Sequence, residues 1–152
     1  RRPEHRCADA DDPRQGLESA VIFVDTNVLV DVLSADPRWM PWSLSQLAKA
    51  RSLDALGINL IVYAELCTHE PTAALIDAFL ADSKIALLPM NTDVARRAAA
   101  AFLAYRRRKG VKTGVLPDFF IGAHALVDGH TLLTRDAARY RTYFKGLELI
   151  CP

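Results

Sequence analysis

The feature that most constrains the fold is an alternation of short apolar runs with longer segments whose apolar residues recur at helical spacing. The short runs have strand length and lie near residues 20–24, 57–62, 84–88, 130–134 and 147–150. Strands separated by helices pair in parallel. Runs that are apolar at nearly every position, such as Val21 to Val24 and Ile58 to Val62, are typical of strands covered on both faces. We therefore predict an α/β fold, a three-layer α/β/α sandwich with a mainly parallel central sheet.

The length of 152 residues suits one domain with a sizeable core. Residues 1–19 are polar and rich in turn formers, so we predict a flexible N-terminal extension followed by a folded domain over 20–152. No apolar run approaches the roughly 18 residues of a membrane span, which argues against membrane association. The three cysteines include no Cys-x-x-Cys pair, so we expect neither a disulfide framework nor a cysteine zinc site. The expected compartment is the reducing cytoplasm.

The net charge of +1 conceals a strong asymmetry along the chain. Residues 1–93 carry 8 basic and 14 acidic side chains, whereas residues 94–152 carry 11 basic and 4 acidic ones. One region can therefore favour cations while another favours polyanions. This distribution is expected of an enzyme that acts on nucleic acid through metal ions.

The clearest helix begins at Asn91 or Thr92 as its cap and ends before Gly110. Seven basic residues and no acidic one lie between Val94 and Pro117, namely Arg96, Arg97, Arg106, Arg107, Arg108, Lys109 and Lys112. Taken alone, they are most simply a solvated helix end whose cations offset the helix dipole. Combined with the acids described next, they favour a surface that faces phosphates.

Four acids occur where an apolar run gives way to a helix or loop, and they are Asp25, Glu65, Asp118 and Asp136. The carboxyl ends of parallel strands share one edge of the sheet, where ligands of open α/β sheets bind. Carboxylates gathered there raise one another's pKa unless a cation compensates. Hard oxygen ligands select Mg²⁺ or Mn²⁺ over zinc.

Each acid also has a local explanation. Asp25 is a suitable cap for a following helix, and Asp118 after Pro117 is a suitable helix start. Glu65 on a short helix is typical of a solvated side chain, and Asp136 is suited to a turn. The recurrence of acids at four similar positions favours a shared site over four separate caps.

Four ordered motifs resemble those of PIN-domain ribonucleases. The motifs are Val24-Asp25-Thr26-Asn27, Tyr63-Ala64-Glu65-Leu66, Pro117 to Ala125, and Leu132-Leu133-Thr134-Arg135-Asp136. The chain is most similar to the VapC-type toxins of bacterial toxin–antitoxin pairs, including the tail Arg139 to Phe144, over about residues 20–150.

The resemblance implies an endoribonuclease that depends on Mg²⁺ or Mn²⁺ and is controlled by a VapB-type antitoxin, with a homodimer as its assembly. It implies that Asp25, Glu65, Asp118 and Asp136 form the catalytic, metal-binding cluster. In-line attack of metal-activated water on an RNA phosphodiester, leaving a 5′-phosphate and a 3′-hydroxyl, is the implied reaction. Asn27 and Thr134 are expected to support the site, Asn27 by orienting a carboxylate or a metal-bound water and Thr134 by a hydrogen bond to a ligand or phosphate. Alternatively, Asn27 is a turn amide and Thr134 a capping hydroxyl. RNA contacts are expected from Arg106, Arg107, Arg108 and Arg135.

Other polar and aromatic candidates have structural interpretations. His124 lies about 240° around a helix from Asp118, so we expect a histidine at the edge of the core. Cys67 and His69 are too few for zinc and are expected to pack or cap locally. Trp39 and Trp42 are expected to cover the core, with an exposed patch for a partner as the alternative.

Three other functions compete with the nuclease. The first is a catalytically silent PIN-like module that binds RNA or protein, which tight binding without metal-dependent cleavage would reveal. The second is an aspartyl-phosphate phosphohydrolase, which needs a second Asp where this chain has Asn27. The third is a dinucleotide-binding domain, which needs a Gly-rich turn after the first strand, and none is present.

Overall fold

A computed structural model describes residues 21–69, 72–111 and 114–152. The predicted extension over residues 1–19 lies outside the described residues, as does Lys112. The described part contains five strands, β1 Val21–Val24, β2 Ala55–Ile58, β3 Ile85–Leu87, β4 Thr131–Leu133 and β5 Leu149–Ile150. It contains seven helices, α1 Thr26–Leu33, α2 Met40–Leu53, α3 Leu60–Cys67, α4 Ala73–Ser83, α5 Thr92–Arg107, α6 Leu116–Val127 and α7 Ala137–Tyr143.

The strands form one parallel sheet in the order β3-β2-β1-β4-β5. The central strand β1 pairs with β2 and with β4, so the chain first winds toward one side of the sheet and then toward the other. Consecutive residues Phe23 and Val24 point to opposite faces, and both are fully buried. Helices therefore cover both faces, and the predicted parallel α/β sandwich is confirmed. No helix within the described residues is long and apolar enough to cross a membrane.

The prediction of a strand over residues 57–62 is wrong at both ends. Strand β2 begins at Ala55 and stops at Ile58, and residues 60–62 already belong to α3. The buried Asn59 ends the strand because its side-chain oxygen accepts from the backbone N–H groups of Ile61 and Val62, at 3.1 and 3.0 Å. An apolar run that continues from a buried strand into a buried helix does not reveal this boundary by periodicity.

Helix α5 is confirmed as predicted, with Asn91 as its cap. The Asn91 side chain accepts from the backbone N–H groups of Asp93 and Val94. Helix α5 packs along α6 through Phe102 and Tyr105, whose rings lie 5.8 and 5.7 Å from that of Phe119. Because only residues 108–115 separate the two helices, they run antiparallel.

The connection from α6 to β4 determines where the first turn of α6 lies. Only residues 128–130 separate the end of α6 from the start of β4. The first turn of α6 therefore lies toward the carboxyl ends of the strands, and so does the C-terminal end of α5. This topology brings Asp118, which follows no strand, to the edge of the sheet where Asp25 emerges from β1.

Candidate active site

Asp25 is the centre of the candidate site. It follows β1 directly and is the N-cap residue of α1. Its side chain is only 3% exposed, and its Oδ2 atom accepts three hydrogen bonds. The donors are the Thr134 hydroxyl at 2.7 Å, the Asn27 amide at 2.9 Å and the Tyr140 hydroxyl at 3.0 Å. The sheet and α7 thus hold this carboxylate in one orientation.

Burial dominates the electrostatics of Asp25. Removal of the carboxylate from water raises the pKa of Asp25 from 3.8 to about 6. The hydrogen bonds from Thr134 and Tyr140 oppose this rise, and the negative charge of Glu65 adds to it. A carboxylate with a raised pKa is one that a bound cation would stabilise strongly.

Glu65 lies on α3 and not directly after a strand, because the first turn of α3 occupies the residues assigned to that strand. Its Oε2 atom accepts a hydrogen bond of 2.5 Å from the Thr26 hydroxyl. Since Thr26 is the neighbour of Asp25, this bond connects Glu65 to the site, and its charge is felt by both Asp25 and Tyr140.

The other two acids lie with Asp25 around one cleft. Its lining consists of Asp25, Asn27, Asp118, Asp136, Arg139 and Tyr140. The volume of about 20 Å³ is enough for one water-sized occupant. Three of the four predicted acids therefore line one cleft, although they come from segments far apart in the sequence.

Asp118 lies in the first turn of α6, next to Pro117. Its Oδ2 atom forms an ion pair with the guanidinium of Arg139 on α7. Both side chains are partly exposed, Asp118 at 32% and Arg139 at 25%. A cationic side chain therefore stands among the acids of the cleft.

Asp136 and the two predicted supporting residues are joined by hydrogen bonds. The buried Thr134 hydroxyl donates to Asp25 and accepts from the backbone N–H of Asp136 at 3.1 Å. The Asn27 amide lies 3.3 Å from the same hydroxyl, and the Asn27 carbonyl oxygen accepts from the backbone N–H of Arg135 at 3.2 Å. Asn27 and Thr134 thus connect the end of β1 to the segment that carries Asp136.

The donor chemistry of the cleft suits a hard divalent ion, because its acids offer carboxylate oxygens. Across residues 21–69, 72–111 and 114–152, however, no three carboxylate, histidine or cysteine side chains are grouped closely enough to hold an ion. The cation beside Asp118 is instead the guanidinium of Arg139. The residue types therefore fit a metal ion, and in the present structure the guanidinium of Arg139 supplies the positive charge beside Asp118.

Arg135, predicted to contact RNA, has two intramolecular partners. Its Nε atom donates to both carboxylate oxygens of Asp31, at 2.9 and 3.1 Å, and its guanidinium lies 5.3 Å from the centre of the Trp39 ring. Asp31 is buried and also accepts from the Ser43 hydroxyl at 2.8 Å. This network attaches the loop after β4 to α1 and α2.

Sequence reasoning missed Arg139, Tyr140 and Asp31 as individual participants. Arg139 and Tyr140 belong to the segment Arg139 to Phe144, which resembles the tail of VapC-type toxins. That resemblance was the one sequence feature that pointed to these two residues. The close approach of α6 and α7 at Gly122 positions Tyr140, since a Cβ atom there would lie 2.9 Å from the Tyr140 ring and 2.5 Å from Phe144. Asp31 gave no signal, because an acid in an amphipathic helix is usually solvated.

The predicted RNA-binding arginines lie at the C-terminal end of α5. Arg106, Arg107 and Arg108 are exposed, and the Arg108 guanidinium lies 5.8 Å from the centre of the Tyr143 ring. The Tyr143 ring in turn contacts Phe119, the neighbour of Asp118. The basic residues are therefore at the same end of the molecule as the cleft.

The remaining candidates are structural. His124 is fully buried and not at the core edge, with its Nε2 atom 3.0 Å from an Asp128 carboxylate oxygen and its Nδ1 atom 3.3 Å from the Asn59 amide. Burial lowers the pKa of His124. Cys67 packs against the core, as expected. Trp39 and Trp42 form an edge-to-face pair, and Trp42 packs on the core as predicted.

Comparisons with known proteins identify the family. A family model described as PIN domain matches residues 22–145. The chain therefore belongs to the PIN domain family, and the resemblance seen in its motifs is confirmed. No curated protein sequence matches the chain.

Solved structures share the fold at low sequence identity. A chain of VapBC2 from Rickettsia felis, in a structure bound to a DNA fragment from their promoter, aligns with a TM-score of 0.66 and 17% identity, covering 86% of this chain and 98% of that one. A chain of VapBC-1 from nontypeable Haemophilus influenzae aligns with a TM-score of 0.65 and 18% identity, covering 86% of this chain and 97% of that one. A chain of FitAcB from Neisseria gonorrhoeae aligns with a TM-score of 0.54 and 20% identity, covering 85% of this chain and 96% of that one. At these identities the likeness concerns the fold.

Proposed function

We propose that this PIN-domain protein is a Mg²⁺- or Mn²⁺-dependent endoribonuclease and the toxin of a VapBC-type toxin–antitoxin system. The observation that carries the proposal is the convergence of Asp25, Asp118 and Asp136 on one cleft, with the pKa of Asp25 raised to about 6. Because burial disfavours the ionised form of Asp25, a bound cation would stabilise its carboxylate.

In this proposal Asp25, Asp118 and Asp136 hold the ion, and Glu65 adds negative charge through its bond to Thr26. A bound divalent ion would supply charge neutralisation and a more acidic water for attack on phosphorus. Thr134, Asn27 and Tyr140 keep the Asp25 carboxylate oriented by donating to its Oδ2 atom. No protein nucleophile is required.

The RNA strand would approach along the basic end of α5. Arg106, Arg107 and Arg108 supply positive charge at the end of the molecule where Asp118 lies. Phosphate contacts of this kind give affinity without sequence specificity. Arg135 would contribute positive charge beside Asp136 while Asp31 holds its Nε edge.

The solved relatives support an antitoxin partner. The proteins named VapBC carry both members of a toxin–antitoxin pair in their names, and this chain has the fold of one of them. We therefore propose a VapB-type antitoxin as the partner. From the motif resemblance we propose a homodimer of this chain, and from the cysteine usage a cytoplasmic location. The alternative, a silent PIN-like module that binds RNA or protein, is favoured by one observation, the ion pair that places Arg139 on Asp118.

The test is cleavage of total RNA by the purified chain, followed by sequencing of the new 5′ ends. We expect discrete 5′-phosphate ends in Mg²⁺ or Mn²⁺, no cleavage in a chelator, and none with D25N. Because the amide oxygen of the replacement side chain would still accept hydrogen bonds from the same donors, D25N should retain the fold by circular dichroism. RNA binding without metal-dependent cleavage by the native chain would establish the silent module instead.

A further inference from the structure

The cleft already contains a cation, supplied by the chain. Arg139 and Asp136 both line the cleft, and they stand three residues apart at the start of α7, on the same side of the helix. The Arg139 guanidinium reaches across to the carboxylate of Asp118 on α6. One positive charge thus lies among three acids, where the proposed function requires a metal ion.

The guanidinium and a metal ion would repel each other at the Asp118 carboxylate. Arg139 is itself part of the lining, and the space left beside its side chain is only about 20 Å³, so an ion bound there would lie next to the guanidinium. The Oδ2 atom of Asp118 already pairs with Arg139, so an ion bound to this carboxylate would meet the guanidinium at close range.

Arg139 is able to leave without unfolding the site. Its side chain is 25% exposed, so the guanidinium reaches solvent, and a change of rotamer moves it while α7 stays in place. Asp25 does not depend on it, because the hydrogen bonds to Asp25 come from Thr134, Asn27 and Tyr140.

We propose that Arg139 is a built-in competitor of the divalent ion, which holds Asp118 in the metal-free protein and must be displaced when the ion binds. The inference rests on the proposed function and concerns the regulation of the same site. Two consequences follow from mass action. Removing the guanidinium strengthens metal binding, and it removes a stabilising ion pair from the metal-free state only.

The experiment measures Mn²⁺ binding to the full chain by the electron paramagnetic resonance signal of free Mn²⁺. The native chain is compared with R139Q, R139K and the matched control R141Q. Arg141 lies on the same helix, is exposed and does not line the cleft, so R141Q corrects for the loss of one positive charge. Melting temperatures with and without Mn²⁺ are recorded for each variant.

We expect R139Q to bind Mn²⁺ at least about tenfold more tightly than both the native chain and R141Q. R139K should fall in between, since an ammonium group retains the charge without the planar fork. The melting temperature of R139Q should be lower than native without metal, and its increase on adding Mn²⁺ should be larger. These melting curves also show directly that R139Q is folded.

Two negative results are distinguishable. If the native chain binds Mn²⁺ and cleaves RNA while R139Q binds no more tightly than R141Q, Arg139 is not a competitor and only this inference is overturned. If neither the native chain nor R139Q binds Mn²⁺ and neither cleaves RNA, the proposed function fails and the inference fails with it.

Discussion

The hydroxyl of Tyr140 donates a hydrogen bond of 3.0 Å to the Oδ2 atom of Asp25, joining residues 115 positions apart in the chain. Tyr140 is only 2% exposed, and burial raises its pKa well above its usual range, so the phenol is protonated and able to donate at neutral pH. The bond stabilises the ionised form of Asp25, which burial disfavours. Tyr140 is thus a positioning residue that acts through Asp25.

The Y140F variant tests this role. Loss of a hydrogen bond to a charged group should raise the pKa of Asp25 by about 1 unit above its value of about 6. The acidic limb of the pH profile for Mn²⁺ binding and for RNA cleavage should therefore move to higher pH. Y143F is the matched control, because Tyr143 is on the same helix and does not line the cleft. An unchanged limb in Y140F would assign Tyr140 a packing role only.

The raised pKa of Asp25 also predicts how stability depends on pH. Between pH 3.8 and about 6 the native protein binds more protons at this carboxyl than the unfolded chain does. Without metal, the contribution of Asp25 to the free energy of unfolding therefore falls as pH rises through this window, by about 3 kcal/mol in total. Above about pH 6 the full cost of burying the ionised Asp25 carboxylate is present.

The D25N variant removes that dependence. Urea unfolding of native and D25N proteins in a chelator should show D25N gaining stability relative to native as pH rises from about 4 to above 6. Divalent metal should stabilise the native chain above about pH 6 and leave D25N unchanged. A constant difference between the two proteins across this range would mean that the Asp25 carboxyl is not perturbed.

The Asp31 network predicts a stability effect at a residue chosen for RNA binding. In R135Q the buried carboxylate of Asp31 would lose the guanidinium and keep, among the described residues, the hydrogen bond from the Ser43 hydroxyl. Because Arg135 is partly exposed, water would replace some of the loss, and we expect R135Q to lower the free energy of unfolding by about 2 kcal/mol. S43A, which leaves Arg135 in place, should cost about 1 kcal/mol. Equal stability of R135Q and native protein in urea would contradict this.

Much of the fold follows from sequence because its signals are local. The buried strand β1 and the Asn-capped helix α5 each have a pattern that neighbouring residues define. The end of β2 was misplaced because Asn59 starts a helix whose first residues are as apolar as the strand before it. Boundaries set by one capping side chain inside an apolar run leave no periodicity to read.

The site divides in a similar way. Asp25 and Asp136 were predictable because each follows a strand that the sequence marks. The contacts of Arg139 and Tyr140 were not, because they depend on how closely α7 approaches α6 at Gly122. The engagement of Arg135 by Asp31 likewise depends on a contact across 104 positions. Pairings made by helix packing have no signature in either segment alone.

The basic end of α5 predicts a salt dependence of RNA binding. If Arg106, Arg107 and Arg108 each neutralise a phosphate, replacing all three with Gln should weaken binding to single-stranded RNA and lower the slope of log affinity against log salt by about 2. The matched control is R96Q, on the same helix near its other end, where Arg96 already pairs with Asp93 at 2.9 Å. R96Q should leave the slope unchanged, and D25N should bind RNA with the native slope, because Asp25 carries no phosphate contact. An unchanged slope in the triple variant would show that these arginines are a solvated helix end and that the RNA follows another surface.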